Sequence, residues 1–155
     1  MAREQSYTRV PKHVGIIPDG NRRWAEGHGL QKSEGYAHGV PPGFALYEAL
    51  LEQGVAEATF YGFTKDNNKR APDQRAAFTQ ACVDAVELLA GRDANLLVVG
   101  NTESPAFPAA LLPYANRRVR FGDGRINLNF LVNYDWTWDL RKLHTDGEIA
   151  SRDIS

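Results

Sequence analysis

The chain has 155 residues, 43% of them hydrophobic and 24% charged, and 18 basic side chains nearly balance 19 acidic ones. A formal net charge of -1 argues against a protein that coats nucleic acid, and the single cysteine, Cys82, excludes an internal disulfide framework or a Cys-cluster zinc site. No apolar run approaches the roughly 20 residues that cross a bilayer, and MAREQSYTRVPKH lacks a signal peptide's apolar core, so one cytoplasmic globular domain without stable membrane insertion is expected.

The first short apolar run is His13 to Ile17, and the polar stretch PDGNRRWAEGHG follows it. There, Asp19-Gly20-Asn21 reads as a turn and N-cap for a helix carrying Arg22, Arg23 and Trp24. Gly35 to Gly43 reads as a loop, with Pro41-Pro42 ahead of a second helix whose stripe is Phe44, Tyr47, Leu50 and Leu51 and whose stop is Gly54. The second strand is Ala58 to Phe63, and TKDNNKRAP comes after it. Pro72 and Asp73 open a helix with the stripe Phe78, Ala81, Cys82, Ala85, Val86 and Leu89, closed by Gly91. Asn95 to Gly100, NLLVVG, is apolar almost throughout, as a strand covered on both faces should be. A shorter helix follows Ser104-Pro105 and ends near Asn116; the fourth strand is Ile126 to Val132, then NYDWTWD, and RKLHTDGEIASRDIS lacks a recognisable closing element. Strands alternating with helices predict an α/β fold with a central, mainly parallel sheet flanked by helices.

In such sheets ligands sit outside the carboxyl ends of the strands, and four polar loops follow the four proposed strands. In the first, two arginines in an opening helical turn oppose the helix dipole unless a strongly anionic ligand compensates. Guanidinium forks match phosphate oxygens, and Asp19 beside them suits a hard oxygen ligand for Mg²⁺ bridging to a diphosphate. An Asx-turn with solvated arginines explains the same residues. After the second strand, Thr64, Asp66, Asn67, Lys69 and Arg70 join the rim, so that Arg22, Arg23, Lys69 and Arg70 surround one point without making the chain basic. That pattern favours a compact polyanion over a nucleic-acid backbone. His13, His28, His38 and His144 lack helical ligand spacing, and neither a Walker loop nor a G-x-S-x-G elbow is present.

HVGIIPDGNRRWAEGHG resembles the signature of the cis-prenyltransferases, the undecaprenyl-diphosphate-synthase family. YGFTKDNNKRAP is similar to the family's second motif and LNFLVNYDWTWDL to its third, in the same order and spacing. The resemblance implies a Mg²⁺-dependent, homodimeric enzyme that condenses prenyl diphosphates with release of pyrophosphate. It implies Asp19, Asn21 and Thr64 as catalytic residues, Asp19 being the metal ligand. Gly20, Asn21, Arg22, Arg23, Lys32 and Arg70 would bind diphosphate, and Trp24, Tyr36, Phe63 and Asn68 the prenyl chain. Product length would follow the depth of an apolar tunnel, which a bulky side chain such as Phe44 or Tyr47 could block.

The departures carry information. Arg22 stands where the family has Gly, Pro18 where it has Met, Lys32 where it has Arg, Tyr36 where it has His, Asp66 where it has Glu, and Asn68 where it has Trp. Asp135-Trp136-Thr137 replaces Gly-Gly-Arg. These changes lead to the expectation of head-to-middle coupling, an allylic diphosphate joined to dimethylallyl diphosphate in a branched, lavandulyl-type product of secondary metabolism. Regular head-to-tail condensation with isopentenyl diphosphate is the alternative. The family continues past the segment at Ser155 into a motif for the second diphosphate, so residues 1–155 alone are expected to be inactive. A non-catalytic accessory subunit and a nucleotide-binding α/β protein are the remaining readings.

Overall fold

The computed structural model describes residues 8–155; the first seven, on which the reading of the leader partly rests, lie outside the described residues. The elements are β1 (His13–Ile16), α1 (Asn21–Gly27), α2 (Gly35–Glu52), β2 (Glu57–Thr64), a 3-10 turn (Lys65–Lys69), α3 (Pro72–Leu89), β3 (Ala94–Val99), a second 3-10 turn (Ala109–Tyr114), β4 (Val119–Phe121), β5 (Asn127–Tyr134) and α4 (Trp136–Thr145). The sheet order is β1-β2-β5-β3-β4. Four strands run parallel, and only the short β4 pairs antiparallel, through Ala94–Phe121 to Leu96–Val119. All four parallel strands match the apolar runs of the sequence to within two residues at either end.

Alternation along the strands sorts side chains between two faces. Ala58, Phe60, Leu96, Val98, Leu128, Phe130 and Val132 join the main core beneath α2 and α3, with Val83, Val86 and Leu89 of α3. Leu97, Val99 and Leu131 point the other way and are covered by Tyr61, Tyr134, Trp138, Ala150 and Ile154. That double covering explains why β3 reads as an unbroken apolar run.

Three sequence expectations need correction. Gly35 to Gly43 is the start of α2, with Pro41 and Pro42 inside the helix. Proline normally marks a helix boundary because it lacks the N–H of the i→i−4 bond. Here the prolines fall on an exposed side of the second turn, and apolar contacts further along stabilise the helix. The helix expected from Ser104-Pro105 to Asn116 is a 3-10 turn over Ala109–Tyr114, with Pro113 inside it. Finally, the segment after NYD is α4, capped by Asp135, whose carboxylate accepts the Thr137 N–H at 3.2 Å.

Candidate active site

β1 ends at Ile16 and the chain turns through Pro18 and Asp19 into α1 at the carboxyl edge of the sheet. Gly20, the residue before the helix, has φ 96°, a left-handed conformation that suits glycine. The turn aims Asp19 at Arg23: Oδ2 accepts from the Arg23 guanidinium at 3.0 Å, and Oδ1 accepts the Gly20 N–H at 2.7 Å. The Gly20 hydrogen bond and the Arg23 charge hold the Asp19 carboxyl below its ordinary value of 3.8. Asp19 is therefore an ionised, exposed oxygen donor at neutral pH.

α1 lies against α2 through two glycines. A Cβ at position 35 would come within 2.1 Å of the Asn21 carbonyl oxygen, and one at position 39 within 2.8 Å of the Asn21 side-chain oxygen. Glycine at both places lets the helices approach, and so sets the position of Asn21 and the arginines after it.

A polar mouth of about 280 Å³ forms here, lined by Asp19, Gly20, Asn21, Arg22, Arg23, Glu26, Lys32, Tyr36 and Arg70. Four cations and two carboxylates face it. Arg23 is paired with Asp19, and Lys32 with Glu26 at 3.1 Å, while Arg22 has no ionic partner among the described residues. Arg70 donates to the Tyr36 hydroxyl at 3.0 Å, and its guanidinium lies 4.8 Å from the centre of the Phe78 ring. The site thus keeps a positive surplus for an anion.

Behind the mouth, α2, α3 and the sheet enclose a second cavity of about 670 Å³, largely apolar. Asp19, Gly20, Asn21 and Tyr36 border both spaces. Trp24 lines the larger space, its ring stacked on His28 at 4.1 Å and tilted against His38 at 4.8 Å. A cationic mouth opening into an apolar cavity matches an amphiphile with an anionic head. The larger space falls within the roughly 300–1,000 Å³ of small-molecule sites.

The structure brings together Asp19, Gly20, Asn21, Arg22, Arg23, Trp24, Lys32, Tyr36 and Arg70, as the sequence suggested. Four expectations it does not place there. Lys69 pairs with Asp66 at 2.8 Å on the surface. Phe63 is 2% exposed and packs on Phe78 in the core, one layer behind the lining. The Thr64 N–H donates to Asn67 Oδ1 at 2.9 Å, opening the 3-10 turn, and Thr64 borders neither space. Asn68 donates to Asn133 Oδ1 at 3.2 Å, and Asn133 donates to the Asn101 carbonyl, so that amides tie the segments after β2 and β3 to the end of β5. Sequence reasoning missed His38, Phe78 and Phe130 as lining residues; the α3 stripe held the signal for Phe78, whereas His38 was hidden by the prolines that disguised the start of α2. Cys82 lines the cavity as an inert thiol, its pKa pushed up to about 12 by burial.

No group of three or more His, Cys, Asp or Glu side chains arranged for a metal occurs among the described residues. Mg²⁺ does not require one: it is commonly held by one or two carboxylates with substrate phosphates and water completing its shell. The ionised, accessible Asp19 fits that mode.

Residues 17–151 match the prenyltransferase family described as "Putative undecaprenyl diphosphate synthase". An isoprenyl transferase from Nitrosomonas europaea is 27% identical over 147 residues, covering 88% of this chain and 55% of the relative. A tritrans,polycis-undecaprenyl-diphosphate synthase (geranylgeranyl-diphosphate specific) from Haloarcula marismortui is 32% identical over 132 residues, covering 81% of this chain and 43% of the relative. The chain therefore spans about half the length of these curated relatives. Among solved structures, lavandulyl diphosphate synthase from Lavandula x intermedia, in complex with dimethylallyl diphosphate, shares the fold with a TM-score of 0.69 at 20% identity, over 94% of this chain and 67% of that one. With the family match extending over most of its length, the chain belongs to the undecaprenyl-diphosphate-synthase-like prenyltransferases.

Proposed function

We propose that the protein joins prenyl diphosphates with release of pyrophosphate, the polar mouth holding the diphosphate of an allylic substrate and the apolar cavity its hydrocarbon tail. The observation that carries this reading is the junction of the two spaces at Asp19, Gly20, Asn21 and Tyr36. As the allylic carbon–oxygen bond breaks, negative charge gathers on the departing pyrophosphate. Arg22, Arg23, Lys32 and Arg70 stand ready to bind and orient that charge before it forms, which is how preorganised electrostatics lowers a barrier. Tyr36 and Phe78 keep the Arg70 guanidinium facing the mouth. Trp24 and the apolar walls exclude water from the developing carbocation, which water would otherwise trap. Mg²⁺, held by Asp19, would supply Lewis-acid stabilisation of the leaving group.

Within this reaction class the proposal is head-to-middle coupling, an allylic diphosphate such as dimethylallyl or geranyl diphosphate joined to dimethylallyl diphosphate. Its support is the set of departures from the family pattern at Arg22, Asn68 and Asp135 to Thr137. Asn68 and Asp135 are engaged in loop and helix-capping bonds here. Regular head-to-tail condensation has its own support, in the similarity to the tritrans,polycis-undecaprenyl-diphosphate synthase of Haloarcula marismortui. Incubating the full-length protein and Mg²⁺ with dimethylallyl, geranyl and isopentenyl diphosphates separates the two. A branched product from dimethylallyl diphosphate alone is expected; a linear product that needs isopentenyl diphosphate would establish the alternative.

The proposal includes a homodimer. Trp136, Leu140 and Leu143 lie on one stripe of α4 at 64%, 51% and 51% exposure, an apolar face that a second copy would cover. No helix among the described residues is long and apolar enough to cross a membrane.

A further inference from the structure

We infer that His38 is the base that takes up the proton released once the new carbon–carbon bond has formed. The inference rests on the transferase reading above and adds a catalytic residue to it.

Gly35, His38 and Gly39 stand at i, i+3 and i+4 on α2 and so share one face of the helix. Both glycines of that face lie against Asn21 at the start of α1. His38 is thereby carried to the α1 side of the larger space, which it lines, with its ring tilted against Trp24. His28, the second imidazole against Trp24, lines neither space, and its Nδ1 donates to the Trp24 carbonyl at 2.8 Å. The reacting carbon of an allylic diphosphate is bonded to the head group, so it lies where the two spaces join, at Asn21 and Tyr36. His38 is two residues along α2 from Tyr36, about 3 Å at about 1.5 Å per residue.

Four side chains lining the larger space could accept a proton: Asp19, Tyr36, His38 and Cys82. Asp19 is paired with Arg23, and the Tyr36 hydroxyl already accepts from Arg70. Burial keeps Cys82 a thiol. Among the described residues the imidazole hydrogen bonds belong to His13 and His28, which leaves both nitrogens of His38 free. Imidazole is also the side chain that gains and loses a proton most readily near neutral pH. The other charged or titratable groups around His38 are His28, the Asp19–Arg23 and Glu26–Lys32 pairs and Arg22 on the α1 side, Glu34 and Tyr36 on its own helix, and Cys82 on α3. The strands present none to this space.

The step balances. The allylic C–O bond breaks and its electron pair leaves with pyrophosphate. The acceptor's double bond supplies the pair for the new carbon–carbon bond and becomes a carbocation. A C–H bond beside that cation then gives its electron pair to a new double bond and its proton to His38, whose exposed ring passes the proton to water.

The test follows full-length His38→Ala and His38→Gln with Mg²⁺ and dimethylallyl, geranyl and isopentenyl diphosphates under single-turnover conditions. Product formation falls about 100-fold in each, while the affinity for geranyl thiolodiphosphate stays within about threefold of the parent's. The parent's rate declines on the acid side of neutrality as His38 gains a proton; both variants lose this limb, and His28→Gln retains it. Added imidazole restores part of the rate in His38→Ala, which leaves room for it, and none in His38→Gln. Parent-like turnover or a surviving acid limb in folded His38→Gln would overturn the inference and give the proton to the departing pyrophosphate. A rate loss in His38→Ala that imidazole does not relieve would also overturn it, leaving His38 as a support for Trp24. Either result leaves the transferase reading intact, whereas no coupling by the parent protein would defeat that reading itself.

Discussion

Asp19 meets an amide and a guanidinium at once, and both favour its charged form. A carboxyl depressed in the folded state contributes above its unfolded value and loses that contribution as pH falls through the lower folded one. Asp19 therefore stays ionised from neutral to mildly acidic pH, and a loss of turnover in that range must come from another group. A pH profile of turnover in Asp19→Glu, which retains a carboxylate, should keep the same acid limb as the parent protein. Asp19→Ala should lose about 100-fold or more in turnover while retaining the circular dichroism and melting profile of the parent, because Asp19 is exposed and supports little of the core. An accessory subunit would be indifferent to the change. At this scale the sequence was informative where chemistry and position coincide: Asp19, Arg22, Arg23 and Arg70 were legible because an acid and cations at strand ends have few structural uses. Phe63 and Lys69 were misplaced because spacing fixes a residue's element but not whether its side chain stops one layer short of the cavity or turns to a neighbouring Asp.

The α1–α2 contact and the start of α2 are where element-level reasoning is most exposed to test. Gly35→Ala would drive a methyl into the Asn21 carbonyl, so we expect a loss of about 1–3 kcal/mol in denaturant unfolding and weaker diphosphate binding as α1 shifts. Pro41→Ala acts in the opposite direction. It restores a helical N–H, worth up to about 3 kcal/mol against an interior proline, offset by about 1 kcal/mol of unfolded-chain entropy. A net gain of about 1–2 kcal/mol is expected, and unchanged or lowered stability would show that the helix tolerates the proline without cost. The parallel strands were readable because each is a short apolar run between polar loops. The beginning of α2 was not, since Pro-Pro and three glycines between residues 35 and 43 carry strong turn signals that only tertiary packing overrides. The short β4 escaped for a different reason: VRF has too few residues to display a period.

Across the whole molecule the two sheet faces are built differently. The first is sealed by α2 and α3 around the cavity, and the second is closed by a segment pinned to a buried carboxylate. Asp139, 3% exposed, accepts from the Tyr134 hydroxyl at 2.8 Å, the Ala150 N–H at 2.6 Å and the Ser151 hydroxyl at 2.5 Å. Asp139→Ala leaves those donors unsatisfied and should cost about 2–3 kcal/mol, with faster amide exchange at residues 150–155 than elsewhere. Leu140→Glu with Leu143→Glu should convert a dimer to a monomer by light scattering, without loss of secondary structure. The central claim remains that one amphiphile spans the two joined spaces. A crystal structure of the full-length protein with Mg²⁺ and geranyl thiolodiphosphate tests it most directly: the account predicts phosphate oxygens within hydrogen-bond distance of Arg23 and Arg70 and a tail lying past Trp24 along Phe78. A diphosphate bound elsewhere, with those guanidinium groups still turned to Asp19 and Tyr36 and the cavity empty, would contradict it.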